Sequence, residues 1–390
     1  MRKYLIVFIF FTVCSFVSAQ MTVSGILDTS VAVQAGAGDS PAFSSGFEEY
    51  ANLRFQARLR ERGIIYGAIN FIAASGSYAA AIQPMAFLGE NFIAAIELER
   101  LYFRLNGEHT DFDAGLFRLP FGYGQVWGSS DFLNPKNPLK PDARPRAVLG
   151  AAFSWYPIDD LKILGFYAAP RDPFSHEGSL FGISLDRHWE KVSIQTLYSY
   201  ELPKTGSAYG IHRAGLSVKA DLIAGFVMDT LYTYNHAAGT KLDGLSFSFG
   251  ADYSFFDGNL IVLVEYLYNG KSSSTALGYG GSFFNNHYLY TGFTWRINDF
   301  ANINIGLICG FNDVSFTPVI SFNNDLFQGA TLTITAQVPL DRDLFHGDGR
   351  RGELGPLRPD TLQPHSPETG VLIGRFGSYF SSTVKIRLRF

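Results

Sequence analysis

Cysteine is nearly missing from this sequence: two in 390 residues, Cys14 and Cys309. Cys14 falls in a leader that reads as cleavable, so the mature chain keeps one thiol. That excludes an internal disulfide and any cysteine-pair metal site. Charge is scarce too, with 17% of residues ionisable as Asp, Glu, Lys or Arg and a formal net charge of -4. So mild a balance offers no surface for nucleic acid. No apolar run reaches the roughly 18 residues that a membrane-spanning helix needs. Histidine is sparse and scattered, at His109, His176, His188, His212, His236, His287, His346 and His365, and none lies in a nucleophile motif. Enzymatic chemistry, a bound metal and an organic cofactor are therefore not expected.

What the chain does have is aromatic residues and glycine: 36 Phe, 20 Tyr and 40 Gly. The start is a targeting segment. Arg2 and Lys3 form a charged lead, Leu5 to Val13 an apolar run, and Val17-Ser18-Ala19 a small-residue cleavage site before Gln20. Residues 1–19 are thus expected to be a signal peptide, and 20–390 one domain of net charge about -6. A lipid anchor on Cys14 is disfavoured by the bulk of Val13 before it.

From Met21 onward apolar and polar residues alternate with period two, the mark of strands with one greasy and one wet face. The pattern is clearest where Leu245, Phe247, Phe249, Ala251, Tyr253 and Phe255 oppose Ser246, Ser248, Gly250, Asp252 and Ser254. At the C-terminus, Phe380, Ser382, Val384, Ile386, Leu388 and Phe390 oppose Ser381, Thr383, Lys385, Arg387 and Arg389. Eighteen such runs can be placed, 16 also being compatible. Links between them alternate short and long. Glu61 to Gly63, Asn106 to Thr110, Ile158 to Asp160, Phe256 to Asn259, Asn298-Asp299 and Asn323 to Leu326 are short; 36–46, 75–91, 120–146, 270–285 and 340–375 are long. Only Asn312-Asp313 is short where a long link is due. A soluble propeller has no reason for this asymmetry, whereas a membrane barrel with tight turns on one side and long loops on the other does.

The closing strand, ending on Phe390, resembles that of outer-membrane β-barrels, whose terminal aromatic is read by the barrel-insertion machinery. The resemblance implies an all-β fold, a transmembrane antiparallel β-barrel, in contact with outer-membrane lipid and a lipopolysaccharide-type surface. It is porin-like: no plug or hatch precedes the first strand, as a TonB-dependent transporter or a fatty-acid transporter would need. Passive diffusion of small hydrophilic solutes is the implied function, with a homotrimer allowed. A surface adhesin with a blocked interior and a channel specific for sugars or polysaccharide are the alternatives.

Polar members of the alternations should face the interior. These include the basic residues Arg54, Arg58, Arg60, Arg213, Lys219, Arg296, Lys385, Arg387 and Arg389, and the acidic residues Glu97, Glu99, Asp229, Asp252 and Glu265. Closure would set the last strand beside the first two, gathering Arg54, Arg58 and Arg387 on one wall. Such charges hydrate an aqueous interior; as a stripe they would favour anions. Around Glu99-Arg100 the two halves of the alternation fall out of register, as a β-bulge would cause. Trp155, Trp295 and Tyr232 fit an outer aromatic girdle.

The link 120–146 resembles the third loop of general porins, which folds inward and sets the constriction. Trp127-Gly128-x-x-Asp131-x-x-Asn134-Pro135 also resembles a pattern seen in porin-like and exopolysaccharide-export channels. Two placements stay open, inside the barrel or over its external mouth. If inside, Asp131, Lys136, Lys140, Asp142, Arg144 and Arg146 are candidates for the narrowest zone. The link 340–375 reads as a surface loop; its Asp341-x-Asp343 start fails as a calcium loop because Phe345 and Gly352 occupy ligand positions. The clusters Gly122-Tyr123-Gly124 and Gly278 to Gly281 lack the strand–helix setting of a phosphate cradle.

Overall fold

The alternating runs become eighteen antiparallel strands in a computed structural model. It describes residues 20–36, 43–59, 61–76, 92–134, 147–170, 175–207, 209–235, 244–270, 286–311, 314–338, 340 and 379–390. The leader expected at 1–19 and the loop interior at 341–375 lie outside the described residues.

In chain order the strands are β1 (Gln20–Gly36), β2 (Phe43–Leu59), β3 (Gly63–Gly76), β4 (Phe92–Asn106), β5 (Thr110–Phe117) and β6 (Val148–Ile158). Next come β7 (Leu161–Ala168), β8 (Leu180–His188), β9 (Val192–Glu201), β10 (Ile211–Asp221), β11 (Gly225–Asn235) and β12 (Leu245–Phe255). The last third holds β13 (Leu260–Asn269), β14 (His287–Asn298), β15 (Ala301–Gly310), β16 (Ser315–Phe327), β17 (Ala330–Gln337) and β18 (Tyr379–Arg389). Each strand pairs with its sequence neighbours, and β18 pairs with β1 from Ile26 opposite Arg389 to Gly36 opposite Tyr379. The sheet is therefore closed, which leaves no edge of unpaired N–H and C=O groups, the condition for strands to cross hydrocarbon.

Because the side-chain period is two, the ladder fixes which residues share a face. Phe153, Phe249, Phe293, Trp155 and Trp295 all fall on the outer face and are substantially exposed, as are Ile96, Ile334 and Val384. A belt of exposed aromatic and aliphatic side chains all round a barrel is unsuited to water and suited to lipid. Trp155, Trp295 and Tyr232 lie on this outer face, where a girdle requires them.

Two local features show how sequence sets register. In β4 the pairing slips between Ala68 and Ile69 of β3, with Leu98 and Arg100 as successive partners and Glu99 as the extra residue. The bulge expected at Glu99-Arg100 is thus present, and it turns the Glu99 carboxylate inward. In β16 the outcome differs from expectation. Asn323, Asn324 and Asp325 were expected in a turn but stay paired with β17, and the chain reverses at Gln328-Gly329, where Gly329 has φ +84°. Asn and Asp are common in turns, yet here the Asn323 amide faces inward and donates to Asn302 Oδ1 at 3.0 Å. Polar inner-face chemistry mimics turn chemistry.

Candidate functional site

The chain leaves β5 at Phe117 and runs inside the barrel instead of over its mouth. Residues 119–134 form a strap that travels along the inner wall and returns. Its hydrogen bonds to wall side chains span six consecutive strands, β8 to β13, through Asp186, Gln195, Ser217, Asp229, Asp252 and Glu265.

A strap has no neighbouring strand, so its backbone N–H groups need other acceptors. The wall provides them in order. Gly122 N–H donates to Gln195 Oε1 at 2.7 Å; Tyr123 and Gly124 N–H donate to Asp229 at 2.9 and 2.8 Å. Gln125, Val126 and Trp127 N–H donate to Glu265 at 3.0, 2.9 and 3.0 Å, and the Trp127 indole donates to the Glu265 carbonyl. Six N–H groups in a row thus meet three side chains. Asp229 and Glu265 are fully buried, and this ring of donors replaces the water their charges would otherwise need.

Glycine makes the close approach feasible. Gly122 has φ +81°, and a Cβ there would stand 2.6 Å from Asp229 Oδ2; one on Gly124 would stand 2.8 Å from the same oxygen. The Gly-Tyr-Gly cluster thus wraps around a carboxylate of the protein itself. Tyr123 extends the hold by donating its hydroxyl to Asp186 at 2.7 Å. Burial, then that hydrogen bond, pushes the phenol well above its usual range, so it stays a donor.

The Trp-Gly-x-x-Asp-x-x-Asn pattern is the tip and return of the strap. Trp127 is buried against Leu267, Tyr288 and Ile308. Gly128, at φ +56°, reverses the chain. Ser130 meets Ser217 at 3.0 Å; Asp131 accepts the Asn134 N–H at 3.0 Å; Asn134 Oδ1 accepts the Leu119 N–H at 2.8 Å and closes the base. Beneath the strap, Leu119, Phe121 and Phe132 pack on Ala152, Leu164, Phe166, Leu197 and Leu231.

The other wall carries a polar network, buried at Asn52, Asn70 and Glu99. Glu99 accepts from Asn52 Nδ2 at 2.7 Å and Arg118 Nη2 at 3.0 Å, with Arg100 at 3.4 Å. Arg54 Nε donates to Asn52 Oδ1, and Asn70 joins Asn52 to Glu97. Arg387 grips Asp28 through two bonds of 2.8 and 2.7 Å.

The expected inner residues fall into groups. Arg54, Arg58, Lys385, Arg387 and Arg389 share the inner face of β2 and β18, on either side of β1, and Arg296 lies on that of β14. Arg213 pairs with Glu201 at 2.6 Å with its guanidinium 5.0 Å from the Phe132 ring, and Lys219 lies 3.0 Å from Asp221. Asp229 and Glu265 do not stand free in the interior: the strap covers them. Asp131 is buried in the strap's own hydrogen bonding, not projected toward a narrow zone. Arg60, Lys136, Lys140, Asp142, Arg144 and Arg146 lie outside the described residues. Phe390 pairs its backbone with Gly25 in both directions. Gln195 was missed by sequence reasoning. The available signal was apolar residues on inner positions, Leu164, Leu197, Leu231 and Leu267, which announce a covered wall.

A closed barrel with a lipid-type exterior, short turns at one end and a loop strapped inside defines the class: a transmembrane β-barrel with the outer-membrane porin fold. Among solved structures the chain is similar to OpdQ of Pseudomonas aeruginosa, 11% identical with a TM-score of 0.57, over 95% of this chain and 99% of that one. OpdL of the same organism is 10% identical with a TM-score of 0.57, over 95% and 99%. OmpF of Salmonella typhi, in complex with daunomycin, is 11% identical with a TM-score of 0.50, over 95% and 98%. At such identities the likeness is one of fold. No protein-family model matches the sequence, and no curated protein matches it.

Proposed function

We propose that this chain is an outer-membrane channel for passive diffusion of small hydrophilic solutes, with the 119–134 strap narrowing the passage and the opposite basic wall favouring anions. The observation that carries the reading is the one-sided strap. It is fixed to β8–β13, while the β18–β1–β2 wall keeps Arg54, Arg58, Lys385, Arg387 and Arg389 on its inner face. Passage is then governed by the gap between strap and wall and by the sign of the charge there. Small solutes, lipid and the insertion machinery that reads Phe390 are the partners this reading implies, and three copies in the membrane are compatible with it.

Planar-bilayer recording of the folded full-length protein tests the proposal. Stepwise insertions with an ohmic open current and an anion-directed reversal potential in a salt gradient are expected. Electrical silence from correctly folded protein would sink the channel and favour an interaction barrel with a blocked interior.

A further inference from the structure

At the short-turn end of the barrel, β14 to β18 line a half-open recess of about 480 Å3. That lies within the usual range of small-molecule pockets, about 300–1,000 Å3. Its lining is overwhelmingly polar, and the hydrogen bonds of its lining residues and of the neighbouring Asn304 and Thr294 are one-sided. Asn302 Oδ1 accepts from both Asn304 and Asn323 Nδ2 at 3.0 Å. Asn304 Oδ1 accepts from Thr294 and Asn323 Oδ1 from Thr333, each at 2.8 Å; Asp325 accepts from Thr331 at 2.8 Å. The amide acceptors are consumed internally. Donors are what remain: the Asn302 Nδ2 group and the guanidiniums of Arg296 and Arg389 have no hydrogen-bond or ion-pair partner among the described residues.

We infer that this recess binds an oxyanion carried on a polyol, a class that spans sugar acids and sugar phosphates. Arg296 and Arg389 take the oxyanion, since guanidinium matches carboxylate or phosphate geometry. Asn302 donates beside them. The exposed carboxylates of Asp299 and Asp325 at the rim would repel a bare anion but accept from hydroxyl groups, so the ligand needs both chemistries. A hydroxylated anion leaves no group opposed, whereas a plain carboxylate or an uncharged sugar leaves one set unanswered. The site rests on the channel reading only for its route of access; binding itself does not require conduction.

Isothermal titration of the folded full-length protein in detergent tests the site directly. Glucose 6-phosphate and gluconate represent the two sources of the oxyanion, with glucose, acetate and inorganic phosphate as part-ligands. Saturable binding of either hydroxylated anion, tighter than all three part-ligands, is expected, and which of the two binds more tightly names the source. An Arg296→Gln/Arg389→Gln double variant should weaken it by about tenfold or more, as for loss of charged hydrogen bonds. Lys219→Gln, a cation on a different wall, should leave it unchanged. No binding, equal binding of glucose, or equal weakening by Lys219→Gln would each overturn the site. Bilayer recordings on the same samples separate the two readings: open channels without binding refute the recess alone, and binding without conduction refutes the channel alone.

Discussion

Glu265 takes three backbone N–H groups on its carboxylate and an indole on its carbonyl, so the strap's outward limb hangs largely on one side chain. Replacing it with Leu strands buried donors at about 1–3 kcal/mol each. With Glu265→Gln, an amide NH2 would face donors where an oxygen had faced them. Both variants should release the strap from the wall, with larger and noisier single-channel currents and a red-shifted Trp127 emission; unchanged conductance and spectrum would show that the strap is held elsewhere. The Trp127-to-Asn134 motif marked this segment in the sequence because its turn, reversal and base closure are local. Its anchors were not legible there. Asp229 and Glu265 are more than a hundred residues distant, and a carboxylate on an inner strand position looks the same in sequence whether water or a strap covers it.

Among elements, the seam between β18 and β1 is the pairing that makes a sheet into a barrel. At its end Gly25 and Phe390 exchange hydrogen bonds of 2.7 and 3.1 Å. The Phe390 ring lies where a Gly25 side chain would go, its nearest carbon 2.3 Å from that Cβ position. Phe55 covers Gly67 and Phe166 covers Gly182 in the same manner, an aromatic shielding a bare backbone. Gly25→Val should expel the ring and weaken closure, lowering the temperature at which the heat-modifiable gel band shifts from folded to unfolded mobility. Gly165→Ala, where nothing stands within 4 Å of the added carbon, should leave that temperature unchanged. Equal behaviour of the two variants would remove the seam's special role. Strands such as β12 and β17 were readable because alternation is written residue by residue. The seat on Gly25 was not, since it depends on which strand closes against which, at what register.

At the scale of the whole molecule, the proposed channel sorts solutes by the distribution of charge across its interior. On one side Asp186, Asp229, Asp252 and Glu265 stand behind the strap, their oxygens engaged by its donors. On the other, Arg54, Arg58, Lys385 and Arg389 face inward, with Arg387 bound to Asp28. Changing Arg54, Arg58 and Arg387 to Gln removes three cations and frees Asp28 from its partner, so both effects push the reversal potential in a salt gradient toward cations. Ionic strength gives the proposal its second handle. The screening length is about 10 Å at 0.1 M salt and about 3 Å at 1 M, so a field acting across open water must fade between those conditions. The difference between wild type and the triple variant should be large in dilute salt and should shrink toward zero in concentrated salt. A difference that persists at 1 M would mean that ions touch these arginines directly in a narrow passage. No difference at either salt would mean that the basic wall does not set selectivity at all.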